Sequence, residues 1–195
     1  MLAGFTAGKE FHLALKINCS YFNRETNLVN TIKNDYNRFM LDKIIAGAHK
    51  KLLGGQKTIS VAESCSGGLL CSLLTELPGS SKYFLLGVVT YSNSSKEKFL
   101  NIPQKTIAKY GAVSDKVAIL MAENIRKKTN SDFGLSITGI AGPTGATLNK
   151  PVGTVFVGLA YKKKTVYQRF TFRGKRQTIR KKSAYSALRL LGAHL

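Results

Sequence analysis

Residues 58–91 read TISVAESCSGGLLCSLLTELPGSSKYFLLGVVTY, and the succession of patterns within them decides the fold. Thr58 to Ala62 is a short, largely apolar run that reads as a strand. Leu69 to Leu77 carries leucines at helical spacing and stops at Pro78-Gly79. Tyr83 to Tyr91 is a nearly continuous apolar run, the pattern of a strand covered on both sheet faces. Strand, helix, strand in this order is a βαβ unit, which pairs its two strands in parallel.

The pattern continues on both sides. Leu41, Ile44, Ile45, Ala48 and Leu52 recur at helical spacing until Gly54-Gly55. A short helix is predicted after Asn93 and another over Gln104 to Lys109. Ser114 caps a long helix with Val117, Ala118, Met121, Ala122 and Ile125 on one face. Phe133 to Thr138 is a strand that enters a glycine-rich loop, Gly139 to Gly145. Thr154 to Tyr161 and Thr165 to Phe172 form an antiparallel hairpin. A last helix runs from Gln177 to Leu191 with Ile179, Ser183, Ala187 and Leu191 buried. The fold class is α/β, with a mixed sheet between helical layers. Residues 1–38 are polar and show no sustained period, so they read as a poorly ordered or irregular N-terminal extension to one domain over 39–195.

A chain of 195 residues builds one ordinary core. It has no apolar run of membrane-spanning length and no secretory signal in its first residues, so neither a membrane partner nor export is expected. Cys19, Cys65 and Cys71 lack metal-ligand spacing and fit a reducing, cytoplasmic setting. The formal charge is +20, and no acidic residue follows Asp132. Such a surface attracts anions of any kind, nucleic acid and phosphorylated metabolites included, although a solvated lysine-rich face looks the same in sequence.

The histidines, His12, His49 and His194, lie near no strand end and no glycine loop, which disfavours a Ser-His-Asp triad or a Cys-His pair. There is no G-x-S-x-G elbow, HExxH or paired Cys-x-x-Cys, so no metal site is expected. The glycine loop is neither a Walker loop nor a dinucleotide fingerprint. What remains is Ser64, after the first strand, and Lys96, in the first turn of a predicted helix. A serine hydroxyl needs a base, and a lysine serves only when its pKa falls from roughly 10.4 toward neutrality. The field of a helix N-terminus and desolvation both push it that way. Free N–H groups from Cys65 to Gly68 would suit an oxyanion, Gly67-Gly68 would admit a substrate to the backbone, and Tyr91 would relay a proton or bond the lysine. Each residue also has a plainer reading: Ser64 as a helix cap, the glycines as packing, Lys96 as a solvated lysine, Tyr91 as a sheet residue with its hydroxyl at the rim.

Seven segments narrow the choice: AESCSGG (62–68), LPGSS (77–81), GVVTYSNSSK (87–96), KYGAVS (109–114), SITGIAGP (136–143), KPVGTV (150–155) and FRGKR (172–176). In order and spacing they resemble the CinA C-terminal domain family, the nicotinamide-nucleotide amidases, from Leu41 to the end. The resemblance implies a three-layer α/β/α sandwich, no cofactor and no metal. It implies hydrolysis of the carboxamide of nicotinamide mononucleotide to nicotinic acid mononucleotide and ammonia, in a homodimer. Ser64 would be the nucleophile and Lys96 the general base, with Tyr91 assisting. The backbone around Cys65, Ser66, Gly67 and Gly68 would form the oxyanion site. Asn93, the loop Thr138, Gly139, Ala141 and Gly142, and Arg176 would contact substrate, Arg176 at the phosphate. Three positions depart from the family pattern: Ser66 stands for threonine, Ala146 for the last glycine of the loop, and Lys175 for an acidic residue. The alternative is a non-catalytic nucleotide- or nucleic-acid-binding module that uses the basic C-terminal face. The shortage of aromatic residues interleaved with that face counts against it.

Overall fold

Five strands make one sheet in the computed structural model, which describes residues 41–195. The expected extension over residues 1–38 lies outside the described residues. The strands are β1 (Ile59–Glu63), β2 (Phe84–Val89), β3 (Phe133–Gly139), β4 (Thr154–Tyr161) and β5 (Lys164–Thr171), in the spatial order β2-β1-β3-β4-β5. β1 lies parallel to both β2 and β3, with Val61 level with Gly87 on one side and Leu135 on the other. β3, β4 and β5 are antiparallel in turn, which places Ser136 opposite Gly158 and Gly158 opposite Tyr167. The sheet is therefore mixed, as the sequence predicts.

Helix α1 covers residues 41–54 of the described chain. It is followed by α2 (Leu69–Leu74), α3 (Asn93–Leu100), α4 (Gln104–Tyr110), α5 (Asp115–Thr129) and α6 (Arg176–Gly192). α5 packs across β1, β3, β4 and β5 with α3 and α4 against it, while α2 and α6 pack together on the other face. α1 joins the α6 side, where Lys51 Nζ donates to Gly192 O and His49 meets Tyr83. Helices thus cover both faces of the sheet, an α/β fold.

Local chemistry explains the boundaries. Ser114 Oγ accepts the Val117 N–H at the start of α5, and Asn130 in the left-handed region ends it. The five residues predicted for its inner face are its buried residues. α5 sits close to the sheet because Gly134 and Gly158 have no side chain: a Cβ on Gly158 would lie 2.5 Å from Ala118 O, and one on Gly134 would run into Ala122 O. On this side Leu100, Ile102, Ile107, Val117, Met121 and Ile125 pack around Ala62, with Leu86 and Val88 against them. That cluster seats α3 beneath the end of β1.

Two expectations are corrected. α2 stops at Leu74, three residues short of Leu77, because Thr75 Oγ1 bonds back to Cys71 O and Ser72 O and closes the turn. β2 is an edge strand and is not covered on both faces: Leu85 and Val89 are each 47 % exposed.

The connections define the site. The chain leaves β1 through α2 to reach β2 on one side, then returns through α3–α5 to β3 on the other. The strand order reverses between β1 and β3, the topological switch point where open α/β sheets bind ligands beyond the strands' carboxyl ends. Ser64 follows β1 directly, Thr90 follows β2, and the glycine-rich loop follows β3.

Candidate active site

Ser64 opens a four-residue turn, Cys65 to Gly68, between β1 and α2. It is not a helix cap: the cap position of α2 is Gly68, with no side-chain cap bond. Gly67 and Gly68 hold φ of 62° and 92°, left-handed values that side-chain-bearing residues take only with strain. They let the chain reverse from strand to helix within one turn.

Lys96 is 1 % exposed, so the reading of it as a solvated lysine fails. Ser92 Oγ accepts the Ser95 N–H and starts α3, and Leu100 anchors it in the core. Lys96 is one turn before Leu100 on the same face, so it too points inward. Its Nζ donates to Ser64 Oγ at 3.2 Å and to Thr90 O at 2.8 Å, with a longer contact to Tyr91 O at 3.5 Å. Three acceptors meet the three protons of an ammonium group. Burial nonetheless lowers its pKa to about 8, and the neighbouring Cys65 acts weakly the other way.

Cys65 is buried, and burial pushes its thiol up to about 12. It therefore stays protonated at neutral pH and is a poor nucleophile beside Ser64. Its Sγ packs against Gly139, at 3.0 Å from where a Cβ would stand, so the serine turn rests on the end of β3.

Glu63 and Arg180 complete the frame, and the sequence reading passes over both. Glu63 is fully buried, and its carboxylate accepts the N–H groups of Gly68, Leu70 and Cys71 at 3.0, 3.2 and 2.8 Å. Gly67 N–H is likewise taken, by Ser64 O at 3.1 Å. The expectation of free donors from Cys65 to Gly68 is thereby corrected: among the described residues of this turn, only the Cys65 and Ser66 N–H groups have no backbone or carboxylate acceptor. Ser66 is fully buried, and its hydroxyl has no partner among the described residues. Arg180 Nε and Nη2 donate to Ser66 O at 3.0 and 2.9 Å. A cue existed for each: Glu63 directly precedes the serine, and Arg180 stands one helical turn after Arg176.

Tyr91 meets Lys96 through its carbonyl, while its hydroxyl, on a side chain 57 % exposed, accepts Arg176 Nη2 at 2.7 Å. Arg176 Nη1 also donates to Gly142 O at 2.8 Å, so one guanidinium ties the glycine loop to the turn after β2. Thr138 Oγ1 donates to Ala112 O. Ala141 is buried beside Gly142, and Asn93 is exposed at the first position of α3. Lys175 is the cap residue of α6, where it accepts no N–H. Among the described residues no three His, Cys, Asp or Glu side chains cluster where they could hold a metal. A concavity of about 360 Å³ lies elsewhere, between β5 and the end of α6, lined by Phe170, Arg189 and His194 among others. It holds none of these groups, and the chemistry follows the side chains rather than the volume.

Comparison with known proteins gives this buried lysine on a serine at a switch point a family. The model of the CinA C-terminal domain matches residues 41–195. The chain belongs to the CinA C-terminal domain family. A CinA-like protein of Endomicrobium trichonymphae is 46 % identical over 162 residues, covering 83 % of this chain and 38 % of its own length. One from Desulfotalea psychrophila is 46 % identical over 160 residues, covering 82 % of this chain and 38 % of its own. The chain thus spans about two fifths of the length of these curated CinA-like relatives. Among solved structures, a competence/damage inducible protein from Agrobacterium tumefaciens is 32 % identical with a TM-score of 0.76, over 78 % of this chain and 94 % of that one. A CinA superfamily protein from Escherichia coli is 30 % identical with a TM-score of 0.75, over 78 % and 90 %.

Proposed function

We propose that this CinA-family domain is an amidohydrolase that converts nicotinamide mononucleotide and water to nicotinic acid mononucleotide and ammonia with a Ser64–Lys96 dyad. One observation carries the reading: the Lys96 amine is buried and 3.2 Å from Ser64 Oγ. With a pKa of about 8, roughly a tenth of it is neutral at pH 7, enough to serve as a base. The family resemblance supplies the substrate.

Neutral Lys96 takes the Ser64 proton as Oγ bonds to the carboxamide carbon, and the carbonyl electrons move to oxygen. The N–H groups of Cys65 and Ser66 are the donors proposed for that oxyanion. As the carbonyl re-forms, the C–N bond breaks and the Lys96 ammonium gives its proton to the departing nitrogen, which leaves as ammonia. An ester remains on Ser64, and Lys96 is neutral again. Lys96 then takes a proton from water, whose oxygen attacks the ester. Ser64 Oγ departs, recovers the proton, and the acid is released. Arg176, exposed at the rim and already bonded to Gly142 O and Tyr91 Oη, is the cation proposed for the nucleotide phosphate.

The test is release of ammonia from nicotinamide mononucleotide by the purified chain. Ser64→Ala is expected to lower kcat by roughly 10³-fold or more while the circular dichroism spectrum stays the same. Undiminished turnover in that variant removes Ser64 as the nucleophile.

A further inference from the structure

Arg180 has no acidic partner: neither ion pair found among the described residues involves it, and its guanidinium is aimed at backbone. Two of its donors meet Ser66 O at 3.0 and 2.9 Å, and Nη2 reaches Gly67 O at 3.5 Å. The peptide that begins at the Ser66 carbonyl ends at the Gly67 N–H, which donates to Ser64 O at 3.1 Å. A chain of hydrogen bonds therefore runs from the guanidinium through one peptide unit to the carbonyl of the serine itself. Bonds in such a chain polarise and strengthen one another, more so when the first donor is charged. Gly67 makes the approach feasible: a Cβ there would stand 3.1 Å from Arg180 Nη2, and its φ of 62° already disfavours one.

We propose that Arg180 is a positioning residue of the amidase, holding the Ser64–Gly67 turn so that Ser64 Oγ stays on Lys96 and the Cys65 and Ser66 N–H groups keep their aim. It acts through the Ser66 peptide and does not itself touch the carboxamide. Both arginines leave α6 one turn apart, and they divide the work. Arg176 joins the glycine loop to Tyr91, and Arg180 fixes the serine turn.

The inference rests on the amidase reading. Ser64→Ala tests that reading separately, since its failure shows in wild-type-like turnover without Ser64, whatever Arg180 does. For Arg180 the measurement is steady-state kinetics of ammonia release by Arg180→Ala, Arg180→Lys and Gly67→Ala, with thermal unfolding alongside. Arg180→Ala is expected to lose about 100-fold in kcat with KM within about twofold, the cost of a slightly misplaced nucleophile. Added guanidinium chloride at tens of millimolar should restore part of the rate. Arg180→Lys, which keeps the charge but loses the fork, should fall between. Gly67→Ala should lower kcat in the same way, and the double variant should lose less than the two effects combined, because both break one contact. Full kcat in Arg180→Ala, or in Arg180→Lys if the alanine variant does not fold, overturns the proposal. So does a rise in KM alone, which would make Arg180 a substrate contact. A kcat loss that guanidinium does not restore, accompanied by a fall in melting temperature, would reduce Arg180 to a structural brace.

Discussion

An ammonium group withdrawn from water loses hydration that three acceptors restore only in part, and this is the situation of Lys96. Its charge is therefore held less tightly than in solvent, with the pKa near 8. If Lys96 is the base, kcat rises with pH, has its midpoint near 8 and levels off above it. Lys96→Arg, charged at every working pH, should abolish the rate and leave no rising limb. A flat profile for the wild type would count against the dyad. The stability linkage has a definite sign. The folded pKa lies below the unfolded value of roughly 10.4, so the unfolded chain binds more protons between these values and Lys96 destabilises the fold fully below about 8. That penalty fades as pH rises through the window. At this scale Ser64 and Lys96 are legible as a pair, but the burial of Lys96 is not. In SSKEK its neighbours are polar or charged, and only its one-turn spacing from Leu100 hints at the inward face.

Elements such as α2 owe their placement to contacts that no periodicity records. α2 has six residues, too few to be stable alone, and the Glu63 carboxylate takes three of its first N–H groups. Glu63→Ala removes both carboxylate oxygens and leaves three N–H groups, that of Leu70 buried and those of Gly68 and Cys71 part-buried, without their acceptor. It should destabilise the fold by about 2–4 kcal/mol in urea denaturation. Glu63→Gln, which keeps one carbonyl, should cost less. A loss below about 0.5 kcal/mol for the alanine variant would mean that water serves these donors as well. The long α5 and the β4–β5 hairpin are readable from sequence because their periods are strong and their ends are marked. The length of α2 and the edge position of β2 are not. The first depends on a threonine hydroxyl closing a turn. The second depends on which strand β1 pairs with on its other side, and an apolar run looks the same at the centre of a sheet and at its edge.

Over the whole molecule, the charge of +20 sets a field that any anion meets before it meets a residue. For a phosphorylated substrate, KM should rise as sodium chloride is added while kcat changes little. The phosphate-free nucleoside should show no such trend. Equal salt dependence for the two would assign the effect to the protein's stability instead of steering. At this scale one βαβ unit and one hairpin suffice to read a mixed α/β sheet. What they leave out is the side of β1 on which the chain re-enters, and that return path creates the switch point where Ser64 sits. A choice between two edges is settled by packing of α5 on β3 and β4, a long-range fact with no local signature.

The two carbonyls beside Lys96 carry one more implication. A neutral amine has two protons and one lone pair, and a carbonyl can only accept. Once Lys96 sheds its extra proton, Thr90 O and Tyr91 O claim the remaining two, and the lone pair is left facing the Ser64 hydroxyl. If Ser64 and Lys96 form the proposed dyad, the direction of proton transfer is thus written in the path of the main chain. Replacing the side chains at positions 90 and 91 leaves those oxygens where they are, so drift at these two sites would leave the polarity of the proposed base intact.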